Sequence, residues 1–268
     1  MRFRFFSKGL AVSAVLAGLW MLCGCSSVSH VEPTPVRVAV TESLRPAMMD
    51  IARAYEDRQP FVKINVIAGN ALSLTRQMLA KVPADLTILD STALMDELSA
   101  KEIIVDKSRA TLLVNALVCM GREDSPFRNF DMVEKDAKAT LAVGDLKGTV
   151  LGQYTQVCMD RLKLTETFKD RLLQVKSSDA VASAVLNGEA SAGIGYQSTA
   201  AVSRGIRIIS VFPLDAYGTI VYDAAVLRAA PHYAQAWEFL SFLRGEQASE
   251  IFRRHGLTTA GKPFGRGF

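Results

Sequence analysis

From Val36 onward the chain alternates short apolar runs with segments whose apolar residues recur at helical spacing, and that alternation decides its fold class. Val36 to Val40 ends in Thr41-Glu42-Ser43, after which Leu44, Met48, Ile51, Ala52 and Tyr55 fall on one face of a helix starting at Ser43. The unit recurs at Val62 to Ile67, where Gly69-Asn70-Ala71 leads into a helix over Leu72 to Leu79. It recurs again at Asp85 to Leu89, with Ser91 ahead of a helix over Thr92 to Leu98. Strand–loop–helix units in series demand crossover connections, which give a mostly parallel sheet with helices on both faces.

A second series follows the apolar run Leu112 to Val118, which has strand character. Thr140 to Val143 is a strand closing on Gly144-Asp145, and Thr149 to Gly152 precedes a helix through Leu162. Ser177, Ser178 and Asp179 offer capping oxygens to a helix over Ala180 to Leu186. Strands are expected at Ala192 to Tyr196, Arg207 to Phe212 and Thr219 to Leu227, and amphipathic helices at Tyr233 to Leu243 and Glu246 to His255. The economical arrangement is two α/β lobes joined by two hinge crossings, near Val114 to Val118 and Val221 to Val226. Lobe I takes residues 36–115 and 228–268, and lobe II takes 116–227.

The segment before Val36 reads as an address. Met1 to Lys8 is cationic, Gly9 to Leu22 is apolar, and Leu22-Cys23-Gly24-Cys25 has the form of a lipobox. Residues 1–24 are then a cleaved lipoprotein signal peptide and Cys25 the lipidated first residue. Residues 25–35, with Ser26, Ser27, Ser29, Pro33 and Pro35, form a polar tether. An exported protein, held at a bacterial membrane and facing the periplasm or cell exterior, is the expectation. Arg2, Arg4 and Lys8 all lie in the leader, and without them the net charge falls from +4 to +1. That balance argues against a nucleic-acid partner.

Cys119 and Cys158 each lie in an apolar stretch, where two buried thiols or one disulfide both fit. His30, His232 and His255 show no ligand-like spacing, so no metal site is expected. A Gly-x-Ser-x-Gly elbow and a Walker A sequence are both absent. Catalytic residues and cofactors are therefore not expected. What a two-lobe α/β chain does offer is helix N-termini facing a cleft, whose unpaired N–H groups suit a small anion.

Sharper signals lie in local motifs. They are Ser43-Leu44, Arg76-Gln77, Pro83-Ala84-Asp85-Leu86, Leu113 to Val118, Leu141 to Asp145, Gly152-Gln153-Tyr154, Gly188-Glu189-Ala190, Gly193 to Tyr196, Phe212-Pro213, and Ile251 to Gly256. Through their order and spacing over nearly all of Val36 to Leu257, the chain resembles the periplasmic molybdate-binding proteins of ABC importers. The resemblance implies a two-lobe, type II periplasmic-binding fold and a monomer. It also implies molybdate or tungstate as ligand, and a permease with its ATPase as partners. In that family a tetrahedral dianion is enclosed by hydroxyls and backbone amides without arginine or lysine. The matching positions here are Ser43, at the first helix, and Tyr196, ending the Gly-rich strand.

Other matched positions depart. Ala71 stands where a second hydroxyl is usual, leaving its backbone amide, with Asn70 beside it as a substitute donor. Leu151, in Val150-Leu151-Gly152, replaces a smaller residue, and Ser178 replaces an aliphatic one and adds a hydroxyl. Asp223 replaces a proline after Tyr222. Glu42 stands beside Ser43 where the family has a small residue, facing either the cleft or solvent. Like charges 5 Å apart in an effective dielectric of 20 repel by about 3 kcal/mol, so an inward Glu42 would favour a ligand carrying a proton or an amine. Another oxyanion, a small zwitterion or a non-transporting sensor role are the alternatives.

Overall fold

The computed structural model describes residues 32–260. The leader 1–24, Cys25, most of the tether, His30 and residues 261–268 lie outside the described residues. The strands in chain order are β1 (Thr34–Thr41), β2 (Val62–Gly69), β3 (Leu86–Leu89), β4 (Ala110–Asn115), β5 (Leu117–Arg122), β6 (Leu141–Gly144), β7 (Leu172–Val175), β8 (Ala192–Tyr196), β9 (Ile206–Val211), β10 (Ile220–Val226) and β11 (Thr258–Thr259). The helices are α1 (Arg45–Glu56), α2 (Ala71–Leu79), α3 (Thr92–Ala100), α4 (Phe130–Lys135), α5 (Val150–Arg161), α6 (Thr165–Phe168), α7 (Ser178–Leu186), α8 (Gln197–Val202), α9 (Leu214–Tyr217), α10 (Tyr233–Leu243) and α11 (Glu246–Arg254).

Two mixed sheets result, one ordered β11-β4-β10-β3-β1-β2 and the other β7-β6-β8-β5-β9. The strand–loop–helix repeats do pair in parallel, as β2-β1-β3 in the first sheet and β7-β6-β8 in the second. Antiparallel pairing belongs to the strands near the changes of sheet, β10 with β3 and β4 and β5 with β8 and β9, and to the short edge strand β11 on β4. Alternation along β1 explains why the first sheet needs cover on both faces. Val36, Val38 and Val40 join the core of α1, α10 and α11, with Met48, Ile51, Phe239 and Phe252. Ala39 points the other way, into Leu74 and Met78 of α2 and Met95 and Leu98 of α3. Each fully buried aliphatic side chain contributes about 1.5–3 kcal/mol, so neither layer is dispensable.

Four details differ from the sequence reading. The run Leu112 to Val118 is two strands in different sheets, parted at Ala116, because the Asn115 side chain accepts from the Ala116 N–H (2.9 Å) and turns the chain. Residues 150–152 do not precede the helix but open it: Thr149 caps α5, its Oγ1 accepting from the Gly152 N–H at 2.9 Å. Ser43 is not a capping residue. It lies in a 3-10 turn over Glu42–Leu44, and α1 starts at Arg45 with Pro46 in its first turn and no side-chain cap. Finally, β10, allotted above to residues 116–227 of lobe II, pairs in the six-stranded sheet, where its backbone finds hydrogen-bonded neighbours on both sides and the carboxylate of Asp223 is met by Arg109 and Thr111. Cys119 and Cys158 are both free and buried.

Candidate functional site

Three helices start at one place. Asn70 caps α2 by accepting from the Ser73 N–H (3.2 Å), Thr149 caps α5, and Ser177 caps α7 by accepting from the Ala180 N–H (3.1 Å). Each cap satisfies one first-turn donor, while the N–H groups of Ala71, Leu151 and Ser178 have no acceptor within their own helices. All three residues line one cavity of about 40 Å³, together with Thr41, Glu42, Ser43, Gly69, Asn70, Asp90, Thr149, Val150, Lys176, Ser177 and Tyr196. A single water needs roughly 10–15 Å³ of such space, so the cavity suits a group of a few heavy atoms rather than a sugar or peptide. The structure thus brings Ser43, Asn70, Ala71, Leu151, Ser178 and Tyr196 together.

Close backbone approach lets the helices reach this point. A Cβ on Gly152 would collide with the carbonyl oxygen of Asp145, and one on Gly195 would lie 2.6 Å from Met120 Cε and 2.9 Å from Ser178 Oγ. With glycine at 195, Ser178 Oγ accepts from the Tyr196 N–H at 2.9 Å. Its own hydrogen remains to be donated.

Ser43 is oriented by a chain of donors. Asn115 Oδ1 accepts from the N–H groups of Ala116 (2.9 Å) and Ser198 (3.3 Å), which fixes the amide so that Nδ2 donates to Tyr222 Oη (3.0 Å) and to Ser198 Oγ (2.8 Å). Tyr222 Oη lies 3.2 Å from Ser43 Oγ, and the arrangement that leaves no buried tyrosine hydrogen unpaired has Tyr222 donating to the serine. Ser43 then has its own hydrogen left for the cavity. Burial pushes the Tyr222 hydroxyl well above the ordinary tyrosine range, so this donor stays protonated.

Asn70 is partly engaged already, with one of its two Nδ2 hydrogens left for the cavity it lines. Its Oδ1 is taken by Ser73 and its Nδ2 donates to the Gly148 carbonyl oxygen at 2.9 Å, a bond from α2's start to the loop before α5. Glu42 sits on the rim, its side chain 44% exposed and its carboxylate 3.7 Å from Arg45 Nη2. Burial raises the Asp179 carboxyl, with a smaller push from Glu42. Asp223 is buried but satisfied: Arg109 donates to it from Nη2 (2.8 Å) and Nε (3.0 Å), and Thr111 Oγ1 donates at 2.6 Å.

The sequence reading missed Asp90 and Lys176. Asp90 follows β3, is 3% exposed, and lines the cavity. Tyr196 Oη donates to its Oδ2 at 2.7 Å, and its Oδ1 has no hydrogen-bond partner. Burial drives its carboxyl upward, against the lowering effect of the Tyr196 and Thr41 hydroxyls. The available signal was positional, since ligands in α/β sheets gather at the carboxyl ends of parallel strands. Lys176, exposed at the rim, is the one basic side chain among the described residues that line the cavity. Among the described residues no cluster of three His, Cys, Asp or Glu could hold a metal ion.

Comparison with known proteins identifies the family and the fold. A family model described as bacterial extracellular solute-binding protein matches residues 36–258. The molybdate-binding protein of Escherichia coli (strain K12) is 31% identical over 229 residues, spanning 83% of this chain and 88% of that relative. A candidate ABC transporter substrate-binding lipoprotein of Bacillus subtilis (strain 168) is 26% identical over 259 residues, 94% of this chain and 99% of that one. An aconitate isomerase from a Pseudomonas species is more distant, at 23% identity over 257 residues, 92% of this chain and 95% of its own. Among solved structures, the Azotobacter vinelandii periplasmic molybdate-binding protein superposes with a TM-score of 0.73 at 16% identity, covering 83% of this chain and 98% of that one. At that identity it shows the fold.

Proposed function

Because the chain belongs to the bacterial extracellular solute-binding protein family, we propose that it is the substrate-binding component of an ABC importer and that it holds molybdate or tungstate. The observation that carries this reading is the convergence of three helix N-termini on a cavity of about 40 Å³. Each N-terminus offers free N–H groups and about half a positive charge, so a compact oxyanion is held without an arginine clamp. Ser43, Ser178 and Tyr196 add hydroxyls, while Ala71 and Leu151 contribute backbone amides.

Lobes built on the two sheets close over the anion. Bonds between them in this structure include Asn70 to Gly148, Asn115 to Ser198, Tyr196 to Asp90, and Tyr154 Oη to the Asp90 carbonyl oxygen at 3.4 Å. The closed form docks on a permease, which an ATPase drives, and the binding protein performs no catalysis. Cys25 carries the lipid that keeps it outside the cytoplasmic membrane as a monomer. No helix among the described residues is long and apolar enough to cross a membrane.

Thermal unfolding of the purified protein with millimolar molybdate, tungstate, sulfate or phosphate tests the reading. A ligand at a thousand times its Kd stabilises by about 4 kcal/mol, which raises Tm by roughly 8 °C or more for a chain of this size. Such a shift with molybdate and tungstate supports the proposal. No shift with any oxyanion sinks it.

A further inference from the structure

A buried carboxylate in an anion-sized cavity sets a condition on the anion. Among the described residues, Asp90 is the only carboxylate buried in the cavity wall, and its Oδ1 has no partner. The groups facing it from neighbouring elements are Tyr196 on β8, Tyr154 on α5, Tyr222 on β10 and Thr41 on β1, none of them a cation. Lys176 and Glu42 stand on the rim, and no basic group appears among the influences on Asp90. An ionised carboxylate accepts hydrogen bonds and donates none, and so does a fully deprotonated oxyanion. Two such groups meet favourably only with a proton between them.

Building on the oxyanion reading above, we propose that Asp90 is a ligand-contacting, specificity-determining residue whose Oδ1 shares one proton with an oxygen of the bound anion. Molybdate, tungstate and sulfate, which carry no proton near neutrality, require that proton to sit on Asp90. Hydrogen phosphate and similar protonated oxyanions bring it themselves and donate to the carboxylate. The balance is the same in both cases: one anion and one proton occupy the site, and no bond to the anion's central atom is made or broken. The Tyr196 hydroxyl occupies Oδ2, which leaves Oδ1 as the unpartnered acceptor of a residue that lines the cavity. Burial, which raises the Asp90 carboxyl, makes the protonated form easier to reach.

The test is calorimetric titration of the full-length wild-type chain and of Asp90→Asn with sodium molybdate and inorganic phosphate across about pH 5 to 9. For the wild type, molybdate affinity falls about tenfold per pH unit once free Asp90 ionises, with proton uptake seen as a dependence of heat on buffer. Phosphate affinity falls less steeply over the same range. The amide introduced by Asp90→Asn donates without titrating, so in the variant the molybdate profile is flat and the preference for molybdate over phosphate rises. Should the variant not fold, the wild-type proton uptake decides alone. Molybdate binding with a flat wild-type profile and no proton uptake overturns the assignment of Asp90 while leaving the oxyanion reading standing. Absence of binding by either anion to a folded wild-type protein at every pH overturns both.

Discussion

Replacing Tyr222 by phenylalanine removes one oxygen from the middle of the relay that aims Ser43. In the wild type Asn115 Nδ2 can only donate, so Tyr222 Oη accepts at 3.0 Å, and pairing its buried hydrogen has it donate to Ser43 Oγ at 3.2 Å. Without that donor the serine hydroxyl is free to visit three staggered positions, only one of which serves the anion. Restoring order on binding then costs about RT ln 3, or roughly 0.6 kcal/mol, and lost polarisation along the chain adds a few tenths more. The expected result is a three- to tenfold higher Kd for molybdate. Folding stability drops by about 1 kcal/mol, because Asn115 keeps its bond to Ser198 while Ser43 loses a partner. Calorimetric titration and urea unfolding measure the two numbers separately. An unchanged Kd in a folded Tyr222→Phe protein would refute the relay, and a loss beyond a hundredfold would show that Tyr222 touches the ligand itself.

Two further perturbations concern buried charge. The Asp90 carboxyl is raised by burial, so its ionisation is harder in the folded than in the unfolded chain. Stability contributed by this group is full below its unfolded value near 4 and is lost as pH rises, by about 1.4 kcal/mol per pH unit until the folded group has ionised. Urea unfolding of the ligand-free protein against Asp90→Asn therefore shows the variant gaining on the wild type as pH rises from about 4, and a constant difference contradicts this. Arg109→Ala strips the guanidinium from Asp223, whose side chain is 5% exposed, and leaves a buried carboxylate with only Thr111. The expected destabilisation is about 3 kcal/mol by the same assay, and a loss under about 1 kcal/mol would show the pair to be incidental.

How much of this was legible depended on whether a residue's role is local. Ser91 and Ser177 were readable as caps, because a cap needs only its own helix three residues on. The resemblance supplied six of the residues that line the cavity, through the order and spacing of the motifs. The start of α5 at Val150 was less plain, because a threonine before two apolar residues suits the approach to a helix as well as its cap, and only packing against the Asp145 loop decides. Ser43 looked like a cap for the same local reason, whereas its hydroxyl is claimed by Tyr222, 179 residues away. Asp90 was invisible on such grounds, since its partner Tyr196 is 106 residues distant. The split at Ala116 was hidden by apolar neighbours on both sides, and Asn115, the one polar residue of the run, was its only mark.

The two free thiols give the protein a built-in clock. Cys119 in β5 and Cys158 in α5 are fully covered, and burial pushes each thiol up to about 12. At neutral pH neither is held to any useful extent as thiolate, the form that alkylating reagents attack. Modification therefore waits until the second sheet and its helices come apart. Its rate in a reagent excess reports how often that opening occurs, and how far a bound ligand slows it, with no label added to the chain.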